Sequence, residues 1–270
     1  MLIETERLVL RPVVAKDTQD IARVVFSDPN VVGMLAHNTK DPADAHREAE
    51  RWTQIMGMDG DGGIWDDGGM GLFAVVPKQA DDSLAGVAGF YMERDERGYW
   101  DGEYFYALGT DWHGRRLMSE AADAFANKLH SMKDLGVIYA GYWDMINEAS
   151  GRLLARTGLT SKGRKPVTEE YDAERCRGMF DYDLWRLTET GPGEERDNVL
   201  LQAMRRAGAF VAEEVLERDE ALKALASHYG SKVFPTDASI MFQAALDQPG
   251  MAYLEIRGAG ATGQPVNSLR

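Results

Sequence analysis

The chain opens on an alternation of apolar and polar residues, the pattern of a strand that buries one face. The alternation runs from Thr5 to Arg11 and stops at Pro12, so residues 2–12 predict the first strand. Three further apolar runs have the length of strands and are separated by stretches rich in Asp, Gly and Arg. They span residues 72–76, 84–91 and 99–108. We expect these three runs to form an antiparallel meander.

Helical periodicity lies on both sides of the meander. Before it, apolar residues recur at helical spacing over residues 16–26, and a second helix begins with Asp41 as its N-cap and Pro42 in its first turn. After it, the pattern predicts a helix, a strand and a helix over residues 118–132, 137–143 and 147–156. Because a helix then joins two strands, we expect a parallel crossover beside the meander.

The last third of the chain predicts a separate unit. Residues 179–187 alternate well enough to predict a closing strand, so one mixed α/β domain is expected to span residues 1–190. We assign residues 191–270 to a mainly helical C-terminal extension of unknown role. Its predicted helices, strand and loose tail cover residues 199–226, 237–246, 251–256 and 258 onward. The apolar residues of this extension are expected to pack on the first domain or on a second subunit.

The loop between the second helix and the meander, residues 57–71, is rich in Gly and Asp. Acidic residues close together suggest calcium, but the register of an EF-hand, with glycine sixth and glutamate twelfth, does not occur here. His46, His130 and His228 show no metal-ligand spacing. We therefore expect a flexible rim loop and no metal site.

Composition narrows the classes of function. The 270 residues are 44% hydrophobic and carry 30 Lys+Arg against 44 Asp+Glu, a net charge of −14. This acidity disfavours nucleic acid and anionic membranes as partners and suits a cationic amine, although solubility alone also accounts for it. No apolar run approaches the ~20 residues of a membrane-spanning helix, and the first residues do not resemble a signal peptide. The single cysteine, Cys176, fits a reducing compartment, so we expect a cytoplasmic protein.

The most informative stretch runs from Glu103 to Ala121 and combines a strand, a glycine-containing turn and a helix. Free backbone N–H groups at such a helix start, with the helix dipole behind them and Arg115 and Arg116 beside them, form a site for a pyrophosphate. Strand–glycine–helix turns are common, however, and many of them bind nothing. The stretch alone therefore favours a phosphate site without establishing one.

Three segments together resemble the GCN5-related N-acetyltransferases (GNAT), and in particular the branch of the ribosomal-protein alanine acetyltransferases. Residues 4–11 are similar to the first strand of that branch, 103–121 to its acyl-CoA-binding strand, turn and helix, and 147–159 to its Asn-x-x-Ser helix. The resemblance covers residues 1–188. It implies a twisted, mostly antiparallel sheet flanked by helices and splayed at its centre, and direct acetyl transfer from acetyl-CoA to a primary amine.

The resemblance also implies roles for individual residues. Leu108 would offer backbone groups to the thioester and pantetheine, and Asn147 would face the pantetheine. The residues implied to wrap the pyrophosphate are Trp112, His113, Gly114, Arg115, Arg116 and Leu117. An ammonium must lose a proton before it attacks, and a carboxylate such as Glu103 can accept that proton directly or through a water. Ser150, or a nearby tyrosine, would help the leaving thiolate as a proton donor.

Several of these residues also have a simpler explanation. Glu103 fits a solvated strand residue, Ser150 fits local bonding to the backbone, and Asn147 fits a helix N-cap. His113 is better explained as a turn residue than as a catalyst. His37 falls where the family builds its acceptor site, but an ordinary loop histidine explains it better.

Four positions depart from the family pattern. Asp111 and Arg116 hold the first and last places of a turn that usually reads Gln/Arg-x-x-Gly-x-Gly/Ala, Phe105 replaces a common glycine, and His113 replaces a common tryptophan. A side chain at the place of Arg116 either crowds the phosphates or adds a cation to them. A non-catalytic acyl-CoA-binding or partner-binding module therefore stays open, as do transfer of another short acyl group, the identity of the amine and a homodimer.

Overall fold

A mostly antiparallel sheet forms the centre of the computed structural model, which describes residues 1–60, 64–80, 83–231 and 233–258. Within these residues the strands lie in the spatial order β1-β2-β3-β4-β5-β6-β8-β7. In chain order they are β1 (Ile3–Glu4), β2 (Leu8–Pro12), β3 (Leu72–Pro77), β4 (Gly86–Arg94), β5 (Trp100–Leu108), β6 (Leu135–Tyr142), β7 (Thr160–Lys165) and β8 (Met251–Arg257). The helices that flank them are α1 (Thr18–Ile21), α2 (Pro29–Val32), α3 (Pro42–Met56), α4 (Leu117–Ser131), α5 (Glu148–Arg156), α6 (Ala173–Glu189), α7 (Glu194–Ala212), α8 (Arg218–Tyr229) and α9 (Thr236–Asp247).

The strands from β3 to β6 follow the order that the sequence predicts, and β2 adds to the outer edge of this meander. β2, β3, β4 and β5 pair antiparallel with their successive neighbours, and β5 pairs parallel with β6. Parallel neighbours cannot be joined by a tight hairpin, and α4 provides the crossover between these two. The mixed fold class, the meander and the crossover are therefore confirmed.

The segment 2–12, predicted as one strand, is instead a hairpin of β1 and β2 in which Ile3 faces Leu10. Thr5 holds the turn, because its backbone N–H donates to the Leu8 carbonyl and its hydroxyl accepts from the Leu8 N–H, each at 3.0 Å. A threonine that bonds to nearby backbone competes with a continuous strand. The alternation of apolar and polar residues alone does not reveal this hydrogen bonding, and it therefore predicted one continuous strand.

Residues 179–187, predicted as a closing strand, lie inside α6, so that prediction is wrong. Asp172 caps the helix by accepting a hydrogen bond from the N–H of Arg175 at 2.8 Å. Buried residues then recur every three or four positions: Cys176, Met179, Phe180, Asp183, Leu184 and Leu187. Residues 179–187 are compatible both with a strand-like alternation and with a helix that has one apolar face. The helix forms because its apolar face is buried in a cluster built mainly by helices.

β8 is an inner strand of the sheet although it comes last in the chain. It pairs antiparallel with β6 on one side and with β7 on the other, so α6 to α9 lie in the chain between two neighbouring strands. The sequence did not predict β7, because Thr160–Lys165 has no apolar residue, as suits a solvated edge strand. The division of the chain at residue 190 stays a prediction, to which the structure adds that a strand from beyond that point lies within the sheet.

Apolar residues of the described chain gather in three clusters. One packs the sheet against α4 and α5, another packs it against α1 and α3, and the third is built mainly by α6 to α9. Val199, Leu200, Met204 and Phe210, apolar residues of the extension, are buried in the third cluster. No helix in the described ranges is long and apolar enough to cross a membrane. Residues 61–63 of the predicted rim loop and the predicted tail from 259 lie outside the described residues.

Candidate functional site

β5 and β6 separate halfway along their length. Their last paired residues are Glu103 and Tyr139, yet β5 continues to Leu108 and β6 to Tyr142. On its other edge β5 stays paired with β4 as far as Leu108. The backbone groups of β5 that face β6 beyond Glu103 therefore have no partner among the described strands, and we call this gap the β5–β6 opening. It matches the splayed sheet that the resemblance implies.

The turn after β5 leads into a helix start with free N–H groups. Arg116 is the N-cap of α4 and lies in the left-handed region, with φ 58°, so it adopts the backbone conformation that favours glycine. None of the side chains that the structure describes caps the helix. Gly114 also has a positive φ, 74°, and a Cβ built on it would meet nothing within 4 Å. The exposed turn thus presents open space, backbone donors and the positive end of a helix dipole.

Arg7 anchors this turn from the β1–β2 hairpin. Its guanidinium donates to the backbone carbonyls of Arg115 at 2.9 Å and Arg116 at 3.3 Å. Glu120 on α4 holds Arg7 in place, accepting from its Nε at 2.6 Å and from its backbone N–H at 2.8 Å. This role of Arg7 was not predicted from the sequence, where the signal for it is the place of the residue in the Thr-Glu-Arg-Leu segment of the resemblance.

The side chains of the turn cover its backbone. A ring nitrogen of His113 lies 2.8 Å from the carbonyl oxygen of Leu108, the residue expected to offer its backbone to a ligand. The Arg115 guanidinium lies 4.9 Å from the ring centroid of Trp112 and donates to the carbonyl of Asp111 at 2.9 Å. The side chain of Arg116 is exposed and makes no hydrogen bond or ion pair with the described residues. All six residues expected around a pyrophosphate thus lie at one end of β5.

Ser150 and Asn147 meet at the start of α5. Asn147 is the N-cap, and its Oδ1 accepts from the Ser150 N–H at 3.2 Å. The Ser150 hydroxyl is hydrogen-bonded to the hydroxyl of Tyr106 on β5, which also donates to the Ser150 carbonyl at 3.2 Å. Because residues 103 and 106 point to opposite faces of the strand, the structure brings Ser150 to Tyr106 and not to Glu103. Burial raises the pKa of Tyr106 above its ordinary value.

Glu103 lines a narrow cleft on the other face of β5, which we call the Glu103 cleft. Its walls are Glu103, Tyr139, Gly141, Lys165, Pro166, Glu170, Tyr171, Met251, Ala252 and Tyr253. The Glu103 carboxylate makes no hydrogen bond to the described residues. Burial, and secondly the charge of Glu170, raise its pKa to about 7, against the smaller opposing effects of Arg175 and Lys165. Such a carboxylate is suited to accepting and releasing protons near neutral pH.

A wider cleft adjoins it at Arg175. The Arg175 guanidinium lies 5.4 Å from the ring centroid of Tyr171, and its Nε donates to the Ala36 carbonyl at 2.9 Å. Inside this second cleft Nδ1 of His37 lies 3.2 Å from a carboxylate oxygen of Glu48. Burial lowers the pKa of His37, which favours a neutral imidazole that donates to Glu48. Charged residues of both signs line the cleft: Asp44, Arg47, Glu48, Arg51, Asp172, Glu174, Arg175, Arg177 and Asp181.

Two further classes of chemistry find little support. Cys176 is buried, and burial raises the pKa of its thiol to about 12, so it is a poor nucleophile at neutral pH. Among the residues that the structure describes, no three His, Cys, Asp or Glu side chains form a cluster suited to a metal ion.

Comparison with known proteins gives one family. The family model of the acetyltransferase (GNAT) domain matches residues 7–160. A ribosomal-protein-S5-alanine acetyltransferase from Vibrio fischeri is 18% identical, with 63% of this chain and 87% of that one covered and a TM-score of 0.48. A GNAT-family acetyltransferase from Bacillus anthracis is 20% identical, with 61% of this chain and 86% of that one covered and a TM-score of 0.47. RimL, a ribosomal L7/L12 alpha-N-protein acetyltransferase in complex with coenzyme A, is 14% identical, with 63% of this chain and 90% of that one covered and a TM-score of 0.49. No curated protein matches the chain.

Proposed function

Since the chain belongs to the GNAT family of acetyltransferases, we propose that it is an N-acetyltransferase that moves an acetyl group from acetyl-CoA directly to a primary amine. The amine belongs to a peptide N-terminus or a small molecule. The observation that carries the proposal is the β5–β6 opening, which begins at Glu103 and ends at the turn that leads into α4. We expect the enzyme to work in the cytoplasm, with its single cysteine reduced.

The turn and the opening fit acetyl-CoA as the donor. Free N–H groups at the start of α4, the open space at Gly114 and the exposed guanidinium of Arg116 suit a pyrophosphate. The unpaired edge of β5 suits the amide groups of a pantetheine arm, which is able to bond to it as a short strand does. His113 would release the Leu108 carbonyl when such a ligand binds. Asn147 at the start of α5 would face the arm from the other side.

The reaction needs one proton acceptor, one donor to an oxyanion and one donor to the leaving group. The amine nitrogen forms a bond to the thioester carbonyl carbon, the C–S bond breaks, and the thiolate takes up a proton. Glu103 would accept the proton of the ammonium, and an unpaired N–H of β5 would stabilise the oxyanion. The hydrogen-bonded hydroxyls of Ser150 and Tyr106 are the candidate source of the proton for the thiolate.

The clefts support an amine as the acceptor. Two carboxylates, Glu103 and Glu170, and the rings of Tyr139, Tyr171 and Tyr253 line one of them, and both groups of side chains attract a cation. The adjoining cleft of mixed charge would receive the rest of a zwitterionic acceptor such as a peptide or an amino acid.

Acetyl-CoA binding and transfer test the proposal together. At a hundredfold excess over its Kd, a ligand stabilises the folded state by about 2.7 kcal/mol, so we expect the Tm to rise by roughly 5 to 10 °C. Release of free thiol with a panel of peptides and small amines then measures transfer. Binding without transfer to any amine would favour the non-catalytic module, and faster transfer from propionyl- or succinyl-CoA would favour another acyl group. The absence of both acetyl-CoA binding and acetyl transfer would overturn the proposal.

The charge of Arg116 is expected to contribute to donor binding. Because Arg116 already has a glycine-like backbone and an exposed side chain that pairs with no described residue, we expect it to add a cation rather than to crowd the phosphates. Arg116→Gly should weaken acetyl-CoA binding in a calorimetric titration by about fivefold, or about 1 kcal/mol, and less at high salt. Arg116→Lys, which keeps the charge, is the matched control. Tighter binding by Arg116→Gly would instead mean that the side chain crowds the site.

A further inference from the structure

The Glu103 cleft already contains an amine of the chain itself. Lys165 is the last residue of β7, and its Nζ lies 3.0 Å from a carboxylate oxygen of Glu170. The same nitrogen lies 5.6 Å from the ring centroid of Tyr253 and 6.0 Å from that of Tyr139. Its side chain is 19% exposed. Lys165 thus occupies the kind of place that a substrate ammonium would take.

The surroundings of Lys165 are built by elements far apart in the chain. Tyr139 on β6 and Tyr253 on β8 stack with their centroids 5.7 Å apart, and together they form a platform beneath the ammonium. Glu103 on β5 and Glu170, which precedes α6, supply carboxylates on the same cleft. Ammonium groups are attracted both to the faces of aromatic rings and to carboxylates. Among the described residues, Lys165 is the one lysine that lines this cleft.

The local backbone explains how a lysine of an edge strand enters the cleft. The register between β7 and β8 shifts between Ser161 and Arg164, and Gly163 there has a φ of 94°. A bulge of this kind re-aims the side chains that follow it. Pro166 then ends the strand directly after Lys165, so the lysine is held at the strand's last position.

We propose that Lys165 is an acetyl acceptor within its own chain, an inference that rests on the proposed function. When no substrate amine is bound, Glu103 accepts a proton from the Lys165 ammonium, and the free Nζ attacks the carbonyl carbon of acetyl-CoA. The new N–C bond forms as the C–S bond breaks, and coenzyme A leaves as a thiolate that takes up a proton. The product is a neutral N-acetyl-lysine, and no oxidant or reductant takes part.

The modification has a consequence for the cleft. It removes the cation that pairs with Glu170 and places a neutral amide beside the two tyrosine rings, where a substrate amine would otherwise bind. Substrate and Lys165 therefore compete for one place. A saturating acceptor amine is expected to protect Lys165, whereas a merely exposed lysine would be acetylated at the same rate with or without it.

The test uses the whole chain with deuterium-labelled acetyl-CoA at pH 8, read by intact mass and by peptide mass spectrometry. Label should accumulate at Lys165 at least tenfold faster than at Lys162, a more exposed lysine three residues earlier on the same strand. The rate should not depend on protein concentration, because the reaction is within one chain. Glu103→Gln should slow it at least tenfold, and Lys165→Arg, which keeps the charge, should abolish the fast label while acetyl-CoA still raises the Tm.

The outcomes separate this inference from the function on which it rests. Transfer to an added amine, with Lys165 labelled no faster than Lys162, would overturn the inference and leave the acetyltransferase proposal intact. A rate that rises with protein concentration would also contradict it, since the acceptor would then lie on another molecule. Absence of both acetyl-CoA binding and transfer to any amine would overturn both.

Discussion

Replacing Glu103 by glutamine is expected to lower kcat for amine acetylation by about 100- to 1000-fold, the usual contribution of a positioned general base. The affinity for acetyl-CoA should change by less than about twofold, because the turn before α4 follows the end of β5 and Ser150 lies on α5, so neither contacts Glu103. Initial rates of thiol release at saturating donor measure the first quantity, and calorimetric titration measures the second. Loss of donor binding together with kcat would point to a damaged fold instead.

The pH dependence gives the same prediction an independent readout. Only the ionised form of Glu103 accepts a proton, and its pKa is raised to about 7, first by burial and then by Glu170. The kcat of the unaltered enzyme should therefore rise with pH through about 7, and Glu103→Gln should remove this limb of the profile. Glu170→Gln is the matched control in the same cleft, since losing that charge should move the limb to lower pH. A profile that Glu103→Gln leaves unchanged would assign the base elsewhere, with His37 as the next residue to test.

Glu103→Gln, which should lower the activity, is expected to raise the stability of the folded chain. A carboxyl whose pKa is higher in the folded than in the unfolded chain favours folding when protonated, so its contribution is lost as the pH rises from about 4.5 to about 7. A glutamine carries no such cost. Glu103→Gln is thus expected to raise the free energy of unfolding at pH 8 by up to about 3 kcal/mol, and by close to nothing at pH 4. Denaturant unfolding at the two pH values measures the difference, and equal effects at both would contradict the assigned ionisation.

The segments that the sequence predicted well are those in which local pattern and tertiary packing agree. The strand β5, its glycine turn and α4 form one continuous stretch, so the donor side of the proposed site could be predicted from residues 103–121 alone. The caps Asp41 and Asn147 were also predicted, because a side chain that caps a helix acts within three residues of its own position. Such features depend little on the rest of the chain.

The proposed acceptor side could not be predicted in this way, because its residues come together only through the sheet order. Lys165 and Glu170 flank the edge strand β7, which has no apolar residue to mark it, and Tyr253 lies on β8 at the far end of the chain. The position of β8 between β6 and β7 cannot be derived from the pattern of apolar and polar residues in any of these three strands. Treating 179–187 as the closing strand hid this arrangement, because it placed the end of the sheet before the helices that the structure puts between β7 and β8.

The buried ion pair between Asp183 on α6 and Arg206 on α7 should be the point at which the helical region is most easily destabilised. The two side chains are 0% and 1% exposed, Arg206 Nε donates to an Asp183 oxygen at 2.6 Å, and the same guanidinium donates to the carbonyl of Gly33 after α2. Asp183→Ala would leave a buried charge without its partner, at a cost of about 3 to 5 kcal/mol in the free energy of unfolding.

A double substitution of Asp183 and Arg206 separates two free energies: the cost of leaving one buried charge without its partner, and the net contribution of the ion pair to stability. Asp183→Leu combined with Arg206→Met should recover most of the loss, because well-packed apolar side chains of similar volume avoid the desolvation of both ions. The exposed pair of Glu148 and Arg152, at 76% and 71% exposure, is the control, and Glu148→Ala should cost less than about 1 kcal/mol. Denaturant unfolding of all four proteins measures these values. A loss below 1 kcal/mol for Asp183→Ala would mean that Arg206 is satisfied by the Gly33 carbonyl alone, and that α7 is held against α2 by packing rather than by charge.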